Sequence, residues 1–334
     1  MQGHERTELF AETAARKGIA DAIVEKDFWV CWMLQQLFSI DTLKGRLLFK
    51  GGTSLSKVFH AINRFSEDID LAVDYVALGF TGERDPRQDG ISTSKRNKIL
   101  AEMTNACQLY IGTEFIQAVD KRCREILWPP DAWSLGVSET DPNVVRFRYP
   151  GSGGKTLVYV PPQVVLELGT HAEFVPHDRF SIRSFAAEEF PDVVTDGDVD
   201  VVALLAKRTF WEKATILHQE YHRAPEKLLP ERYSRHYYDL SMLAQSQIRA
   251  EALGDFTLLA DVVKHKETFY PSAWAQYELA RPGTLRLVPK AEWMAALERD
   301  YKNMGIMIFA EPPPFAGIIE TLGRLEEDIN RQRT

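Results

Sequence analysis

The sequence predicts an α+β protein, with a mixed sheet in its first half and a helical C-terminal half. Five apolar runs have the length of a strand, namely residues 46–50, 68–74, 144–149, 156–160 and 164–168. Helical periodicity instead covers residues 6–39, a long stretch from Ser94, and most of the chain after Asp198. We therefore predict two domains, 1–195 and 196–334.

Local signals set the order of these elements. Gly18 divides residues 6–39 into two helices, and the run 46–50 ends at Gly51 and Gly52 before helical spacing resumes from Ser54 to Asn63. This predicts a strand, a glycine turn and a helix, followed by a strand at 68–74. Four helices are expected in the C-terminal half, at residues 199–219, 238–248, 257–269 and 291–309.

Composition excludes several classes of protein. The 334 residues contain 48 Asp and Glu against 40 Lys and Arg, a net charge of -8, which argues against a nonspecific nucleic-acid coat but allows a local basic groove. No apolar run is long enough to span a membrane, and the N-terminus lacks the apolar centre of a signal peptide. We expect a cytoplasmic protein that does not bind membranes.

Cysteine and histidine give little sign of a metal centre. The three cysteines lack metal-ligand spacing and are expected to be buried thiols. His218 and His222 form an HxxxH pair that could share a helix face and bind zinc, but no third ligand is evident.

The strongest chemical signal lies between residues 49 and 71. Two glycines after a strand let the backbone approach a ligand, and the start of a helix offers free amides to a phosphate. Asp68 and Asp70 project to the same side of the predicted strand, roughly 7 Å apart, which suits Mg²⁺ shared with substrate phosphates. Either feature alone could be a turn or a solvated edge strand. Together, in one strand, turn, helix and strand unit, they indicate phosphoryl transfer.

These residues also carry a family resemblance. Gly51-Gly-Thr-Ser-Leu55 followed by the pattern RxSxDIDL at 64–71 resembles the AbiEii/AbiGii toxin family, nucleotidyltransferases of the polymerase-β superfamily found in bacterial phage-defence and toxin-antitoxin systems. Three further segments are similar to family signatures, namely Val24–Val30 around an EKD triplet, Trp211–Leu217 and Ser234–Leu240. The resemblance covers about residues 20 to 245 and implies a polymerase-β-like nucleotidyltransferase core.

The resemblance implies roles for single residues. Asp68 and Asp70 would bind Mg²⁺ or Mn²⁺. Glu167 is the candidate third carboxylate, although it could equally be a charge at a strand edge. The nucleotide-binding candidates are Gly51, Gly52, Thr53, Ser54, Ser66, Lys213 and Arg235.

Two residues of the C-terminal half complete the implied catalytic set. Lys213 would contact the triphosphate, and Asp239 would orient that lysine or act in nucleotide binding. Arg235 lies one helical turn before Asp239, where an ion pair is natural, and such a pair could also be purely structural. The long segment between Lys213 and Asp239, and the fifteen residues between Gly52 and Asp68, depart from the commoner family pattern and leave the acceptor open.

We therefore expect a metal-dependent nucleotidyltransferase toxin that moves a nucleoside monophosphate from an NTP to RNA. The resemblance points to the 3′ end of tRNA as the acceptor, to a toxin-antitoxin or abortive-infection role, and to a cognate antitoxin as partner. Two alternatives remain: transfer to a small molecule such as an antibiotic, or nucleotide binding without turnover by a regulatory partner.

Two basic segments could receive the RNA. Residues 207–235 contain seven Lys or Arg against four Glu, with interleaved aromatics that could stack on bases. A smaller cluster consists of Lys121, Arg122 and Arg124. Solvated helix surface would explain both segments as well.

Overall fold

A computed structural model of the protein describes residues 3–151, 161–224, 226–227, 229–309 and 311–332. The strand expected at 156–160 lies outside these residues. The chain forms two compact units: unit 1 contains residues 1–58 and 66–204, and unit 2 contains residues 59–65 and 205–334. Compact units are defined by packing, whereas a domain folds by itself, so the division at residue 195 stays a prediction.

Unit 1 is built on one mixed sheet. Its strands are β1 (Leu47–Lys50), β2 (Asp68–Val73), β3 (Ser134–Val137), β4 (Val144–Arg148), β5 (Gln163–Gly169), β6 (His177–Ile182) and β7 (Val199–Leu204). They lie in the order β3-β4-β5-β2-β1-β7-β6. The pairs β2 with β5 and β1 with β7 are parallel, and the other neighbours are antiparallel. The predicted mixed sheet is confirmed.

The helices of unit 1 are α1 (Gly3–Lys17), α2 (Asp21–Ser39), α3 (Gly51–Lys57), α4 (Thr93–Tyr110), α5 (Ile116–Ile126) and α6 (Phe185–Glu189). A π-helical turn at Ile111–Phe115 joins α4 to α5, and Gly18 ends α1 with a positive φ of 67°. The core lies between helices and one face of the sheet. There Trp29 of α2 contacts Phe147 of β4, with ring centroids 6.0 Å apart.

Strand β2 alternates between this core and the opposite face. Ile69 and Leu71 are fully buried in the core, whereas Asp68 and Asp70 are partly exposed. Since successive side chains of a strand point to opposite faces, both carboxylates lie on the face turned away from the core.

Several sequence predictions were wrong in their bounds. The helix expected at 238–248 is divided between residues 234–243 and 248–253, and the helix expected at 291–309 ends at Met304. Residues 199–204 form strand β7 and not the start of a helix, because Val199, Val201 and Ala203 alternate into the sheet core. The helix after the glycines begins at Gly51 and ends at Lys57, earlier at both ends than the expected 54–63.

Unit 2 is helical, as predicted for the C-terminal half. Its helices are α7 (Ala206–Tyr221), α8 (Ser234–Leu243), α9 (Ile248–Leu253), α10 (Phe256–Phe269), α11 (Ala291–Met304) and α12 (Phe315–Asn330). The short segment 59–65 also belongs to this unit: Phe65 N–H donates to Met307 O at 2.6 Å, and Phe309 N–H donates to Asn63 O at 2.9 Å. Unit 2 thus includes the residues that lead into β2.

The structure bears on two expectations from composition. Among the described residues, none of the helices combines the length and the apolarity that crossing a bilayer requires. Cys31, Cys107 and Cys123 are buried free thiols, as predicted.

Candidate active site

Gly51 and Asp70 approach each other closely where β1 ends. Gly51 has a φ of 79°, and a Cβ built on it would lie 1.8 Å from Asp70 Oδ2. Any side chain at this position would therefore collide with the carboxylate, and the positive φ disfavours one independently. Gly51 is therefore required because the Asp70 carboxylate occupies the space that a side chain would take. The sequence had indicated only that Gly51 belongs to a glycine turn.

The hydroxyl groups after the glycines hold the turn together. Thr53 Oγ1 donates to the carbonyl of Asp68, which ties α3 to β2, and Ser54 Oγ donates to Gly51 O at 2.9 Å. Both side chains are buried. Gly52 and Ser66 are partly exposed. Of these nucleotide-binding candidates, the two hydroxyls on α3 are therefore engaged within the protein.

Sheet pairing brings Glu167 beside the aspartates. Asp70 is directly opposite Glu167 on β5 and opposite Lys50 on β1. Residues opposite each other on neighbouring strands share a face, so Lys50, Asp68, Asp70 and Glu167 all lie on the face away from the core. Glu167 is exposed.

Burial and neighbouring carboxylates raise the pKa of Asp68. Burial, together with the negative charges of Glu67, Glu167 and Asp70, raises the pKa of Asp68 to about 6. Lys26 opposes this shift. A divalent cation would relieve the same repulsion, and carboxylate oxygens are the donors that Mg²⁺ prefers. The residues thus fit such a metal as a pair of ligands; among the described residues, no group of three or more Asp, Glu, His or Cys could hold one.

Two buried ion pairs hold the segments around these residues. Lys26, only 1% exposed, pairs with Glu67 just before β2. The next residue of α2, Asp27, pairs with Lys57 Nζ at 2.7 Å at the end of α3 and accepts a hydrogen bond from the backbone N–H of Phe185. Lys26 and Asp27 belong to the EKD triplet. The similarity of this triplet to the family signature had not suggested a contact for either residue.

A buried cluster in unit 2 joins Arg64, Lys213 and Asp239. Arg64 donates from Nε and Nη2 to the two oxygens of Asp239 at 2.7 and 2.8 Å, and Lys213 Nζ lies 2.8 Å from Oδ2. Burial alone would raise the pKa of Asp239, but the two cations hold it well below its usual range. Burial lowers the pKa of Lys213. Asp239 therefore anchors the candidate lysine and the arginine of the RxSxDIDL motif together.

The expected pairing of Asp239 with Arg235 is absent. Arg235 is exposed. Within the described part of the chain, Asp239 pairs with Arg64 and Lys213 instead. Helical spacing suggested Arg235 as the partner of Asp239. Arg64 lies 175 residues from Asp239 in sequence, so only its place in the RxSxDIDL motif could have drawn attention to it.

The basic segment 207–235 is partly neutralised inside unit 2. Four of its seven cations form ion pairs: Lys207 with Asp255, Arg208 with Glu212, Lys213 with Asp239 and Arg223 with Glu220. The other three, Lys227, Arg232 and Arg235, are exposed and have no ion pair among the described residues.

The HxxxH pair does not form a zinc site. His218 is buried, its Nε2 donates to Gln276 O at 3.0 Å, and its Nδ1 accepts from Arg286 N–H at 3.1 Å. Burial lowers the pKa of His218 to about 4. Because both ring nitrogens bind the backbone, neither is available to a metal.

Comparison with known families agrees with this arrangement. The sequence profile described as "Nucleotidyl transferase AbiEii toxin, Type IV TA system" matches residues 32–322, which is most of the chain. The chain belongs to the AbiEii toxin family. It is a nucleotidyltransferase toxin of a type IV toxin-antitoxin system, and such a system pairs the toxin with an antitoxin.

Among solved structures, this AbiEii toxin is similar to MenT4, a nucleotidyltransferase toxin from Mycobacterium tuberculosis H37Rv. The two share 16% identity and a TM-score of 0.42, over 95% of this chain and 98% of that one. Among curated proteins, none matches the sequence. The family assignment rests on the sequence profile.

Replacing Gly51 should displace Asp70. Gly51→Ala adds a Cβ where the Asp70 carboxylate lies and forces a non-glycine residue to a positive φ. We expect a loss of unfolding free energy of about 3 kcal/mol, of which about 1 kcal/mol comes from the backbone alone, together with loss of nucleotide transfer. Thermal unfolding and a transfer assay measure the two effects.

Gly45→Ala is the matched control, because Gly45 also has a positive φ, of 72°, but no other atom lies within 4 Å of the position that a Cβ would take. It should cost only the backbone share and leave transfer unchanged. Equal losses in the two variants would show that contact with Asp70 is not the cause.

Removing the charge of Asp68 should stabilise the metal-free protein. The folded state holds the Asp68 proton with a pKa of about 6 instead of the ordinary 3.8, so wild-type stability falls as pH rises between these values. Asp68→Asn should therefore gain on the order of 2 kcal/mol above pH 6 and nothing below about pH 4. Urea unfolding in chelator across this pH range measures the difference. A gain that does not vary with pH would show that the raised pKa of Asp68 is not its source.

In the buried cluster of unit 2, Asp239→Asn should lower the free energy of unfolding more than Lys213→Met does. Asp239→Asn leaves Arg64 and Lys213 buried without a carboxylate and should cost about 3–5 kcal/mol of unfolding free energy. Lys213→Met should cost about 1 kcal/mol, because Asp239 keeps both bonds to Arg64. Urea unfolding tests this order. If Lys213→Met costs as much as Asp239→Asn, then Lys213 and not Asp239 is the anchor of the cluster.

Proposed function

We propose that this toxin transfers a nucleoside monophosphate from an NTP to an RNA, at the 3′ end of a tRNA. The observation that carries the proposal is the row of carboxylates Asp68, Asp70 and Glu167 on one face of the sheet, beside the glycine turn at the end of β1. At such a site the negative charge of the triphosphate must be neutralised, and the hydroxyl nucleophile needs a group that accepts its proton.

In this mechanism Asp68 and Asp70 hold Mg²⁺ or Mn²⁺. When bound, the cation neutralises phosphate charge and stabilises the charge that develops in the transition state. Asp68 would bind the cation as a carboxylate; without a cation, burial and the neighbouring negative charges raise its pKa to about 6. Glu167 accepts the proton of the attacking hydroxyl, a role that suits an exposed carboxylate directly beside Asp70.

The glycine turn holds the β- and γ-phosphates. Backbone amides of Gly51, Gly52, Thr53 and Ser54 at the start of α3 supply the donors. The hydroxyls of Thr53 and Ser54 support this by keeping the turn rigid, since both are bonded within unit 1. Ser66, partly exposed two residues before Asp68, contributes a further donor to the nucleotide.

Roles in unit 2 follow the family pattern. Lys213 contacts triphosphate oxygens and Asp239 orients it, which the 2.8 Å ion pair between them supports. Arg235 adds positive charge for the nucleotide from an exposed position on α8. The toxin acts on its RNA acceptor in the cytoplasm, as part of a toxin-antitoxin or abortive-infection system.

Incubation of the purified protein with each labelled NTP, Mg²⁺, and either total RNA or candidate small acceptors tests the proposal. Label on RNA that migrates with tRNA supports it. Label only on small acceptors would assign an antibiotic-type transferase, and tight nucleotide binding without transfer would assign a regulatory role.

Loss of one proposed metal ligand should abolish both transfer and toxicity. Asp70→Asn keeps the volume of the side chain but removes the charge that binds the cation. We expect transfer to fall at least about a thousandfold and growth inhibition to disappear, with little change in thermal stability. Labelled transfer to RNA and growth after induced expression measure the effect.

Asp200→Asn is the control, because Asp200 is an exposed aspartate on β7 of the same sheet. It should leave transfer within about twofold of wild type, as a surface substitution does. Transfer retained by Asp70→Asn would remove this residue from the metal site.

A further inference from the structure

Two arginines on β4 share the face of the sheet that carries the carboxylates. Arg146 is opposite Val165 of β5, and Val165 is opposite Asp68 of β2. Arg148 is opposite Gln163, two residues further along β5. Because residues in register across neighbouring strands point the same way, Arg146 and Arg148 lie on the same face as Asp68.

The spacing of these arginines follows from sheet geometry. Arg146 is two strands from Asp68, a Cα separation of about 10 Å, and Arg148 is about 7 Å beyond Arg146 along the strand. Extended arginine side chains at these positions reach groups that lie one or two nucleotides from a hydroxyl held at Asp68.

Both arginines are exposed, and no ion pair joins either of them to a carboxylate among the residues described. This distinguishes them from the basic residues on α5, where Arg124 pairs with Asp120 and Arg122 bonds to Gln36 and pairs with Glu125. It also distinguishes them from the four paired cations of the segment 207–235, namely Lys207, Arg208, Lys213 and Arg223. The pair on β4 therefore offers positive charge that is not already balanced within the protein.

Strand order separates these arginines from the glycine turn. Within the sheet, β4 lies two places from β2 on one side, and β1, which ends at Gly51, is the neighbour of β2 on the other side. A triphosphate held at the glycine turn would approach the carboxylates from the β1 side. In-line displacement at the α-phosphate requires the attacking hydroxyl to come from the side opposite the leaving group, which in this sheet is the β4 side.

We propose that Arg146 and Arg148 bind the backbone phosphates of the RNA acceptor immediately upstream of its reactive 3′ hydroxyl. The inference rests on the proposed transfer to RNA and adds where the acceptor lies. Guanidinium groups match phosphate oxygens with two parallel hydrogen bonds. They also offset the repulsion that Asp68, Asp70 and Glu167 exert on a polyanion approaching the same face. Such contacts position the strand without reading its bases.

The double variant Arg146→Gln/Arg148→Gln tests this inference in the full-length protein. We expect the KM for RNA to rise about tenfold to a hundredfold, with the KM for NTP unchanged and kcat at saturating RNA largely kept. The plot of log(kcat/KM) for RNA against log salt should become shallower by about 1.4, since each lost phosphate contact on a single strand contributes about 0.7. Arg146→Lys/Arg148→Lys should restore the salt slope because it restores the charge.

Lys95→Gln/Lys98→Gln is the matched control, as it removes two exposed cations of α4 in the same unit that, like the arginines, have no ion pair among the described residues. If wild type labels RNA but the β4 variant behaves like this control, the inference is wrong and the proposed function stands. A rise in the KM for NTP in the β4 variant would assign the arginines to the triphosphate and also overturn it. If wild type labels no RNA, the proposed function fails, and the inference with it.

Discussion

The site depends on the register of strand β2 between β1 and β5. Ile69 and Leu71 enter the core, while Asp68 and Asp70 face away from it. A shift by one residue would bury both carboxylates and expose both aliphatic side chains, because side chains alternate strictly along a strand. Burial of the apolar residues therefore also decides which carboxylates stand opposite Glu167 and Lys50.

Two segments that precede β2 are held by ion pairs with buried residues of α2. Lys26 and Asp27, adjacent on α2, pair with Glu67 before β2 and with Lys57 at the end of α3. A buried pair adds little net stability, since desolvation offsets the attraction, but loss of one partner leaves an uncompensated charge. Such pairs therefore penalise every alternative placement of the glycine turn and of the strand that carries the aspartates.

Ion pairing within the fold also explains why counts of charged residues along the sequence were a poor guide to binding surfaces. Residues 207–235 have a local excess of cations, yet Lys207 and Lys213 pair with Asp255 and Asp239, which lie outside this segment in unit 2. Arg146 and Arg148 are only two charges in an alternating strand and drew no attention. What distinguishes them is that neither forms an ion pair among the described residues and that both lie on the face of Asp68, and both are properties of the fold.

Hydrophobic periodicity and the positions of glycines in the sequence were enough to predict many of the local elements. They predicted the two N-terminal helices divided at Gly18, the strand that ends at the glycines, the common face of Asp68 and Asp70, and the helical C-terminal half. The motifs were enough for the family. Both succeed because the direction of a side chain within one element depends only on nearby residues.

The family resemblance implied that Glu167 joins the two aspartates and that Asp239 orients Lys213, but tertiary structure alone decided which residues lie in contact. It placed Glu167 beside Asp70, gave Asp239 to Arg64 and Lys213 instead of Arg235, set the Asp70 carboxylate against Gly51, and turned residues 199–204 into a strand. These outcomes depend on strand order, register and burial, which are settled by competition among all apolar surfaces of the chain, and no local window of sequence contains that information.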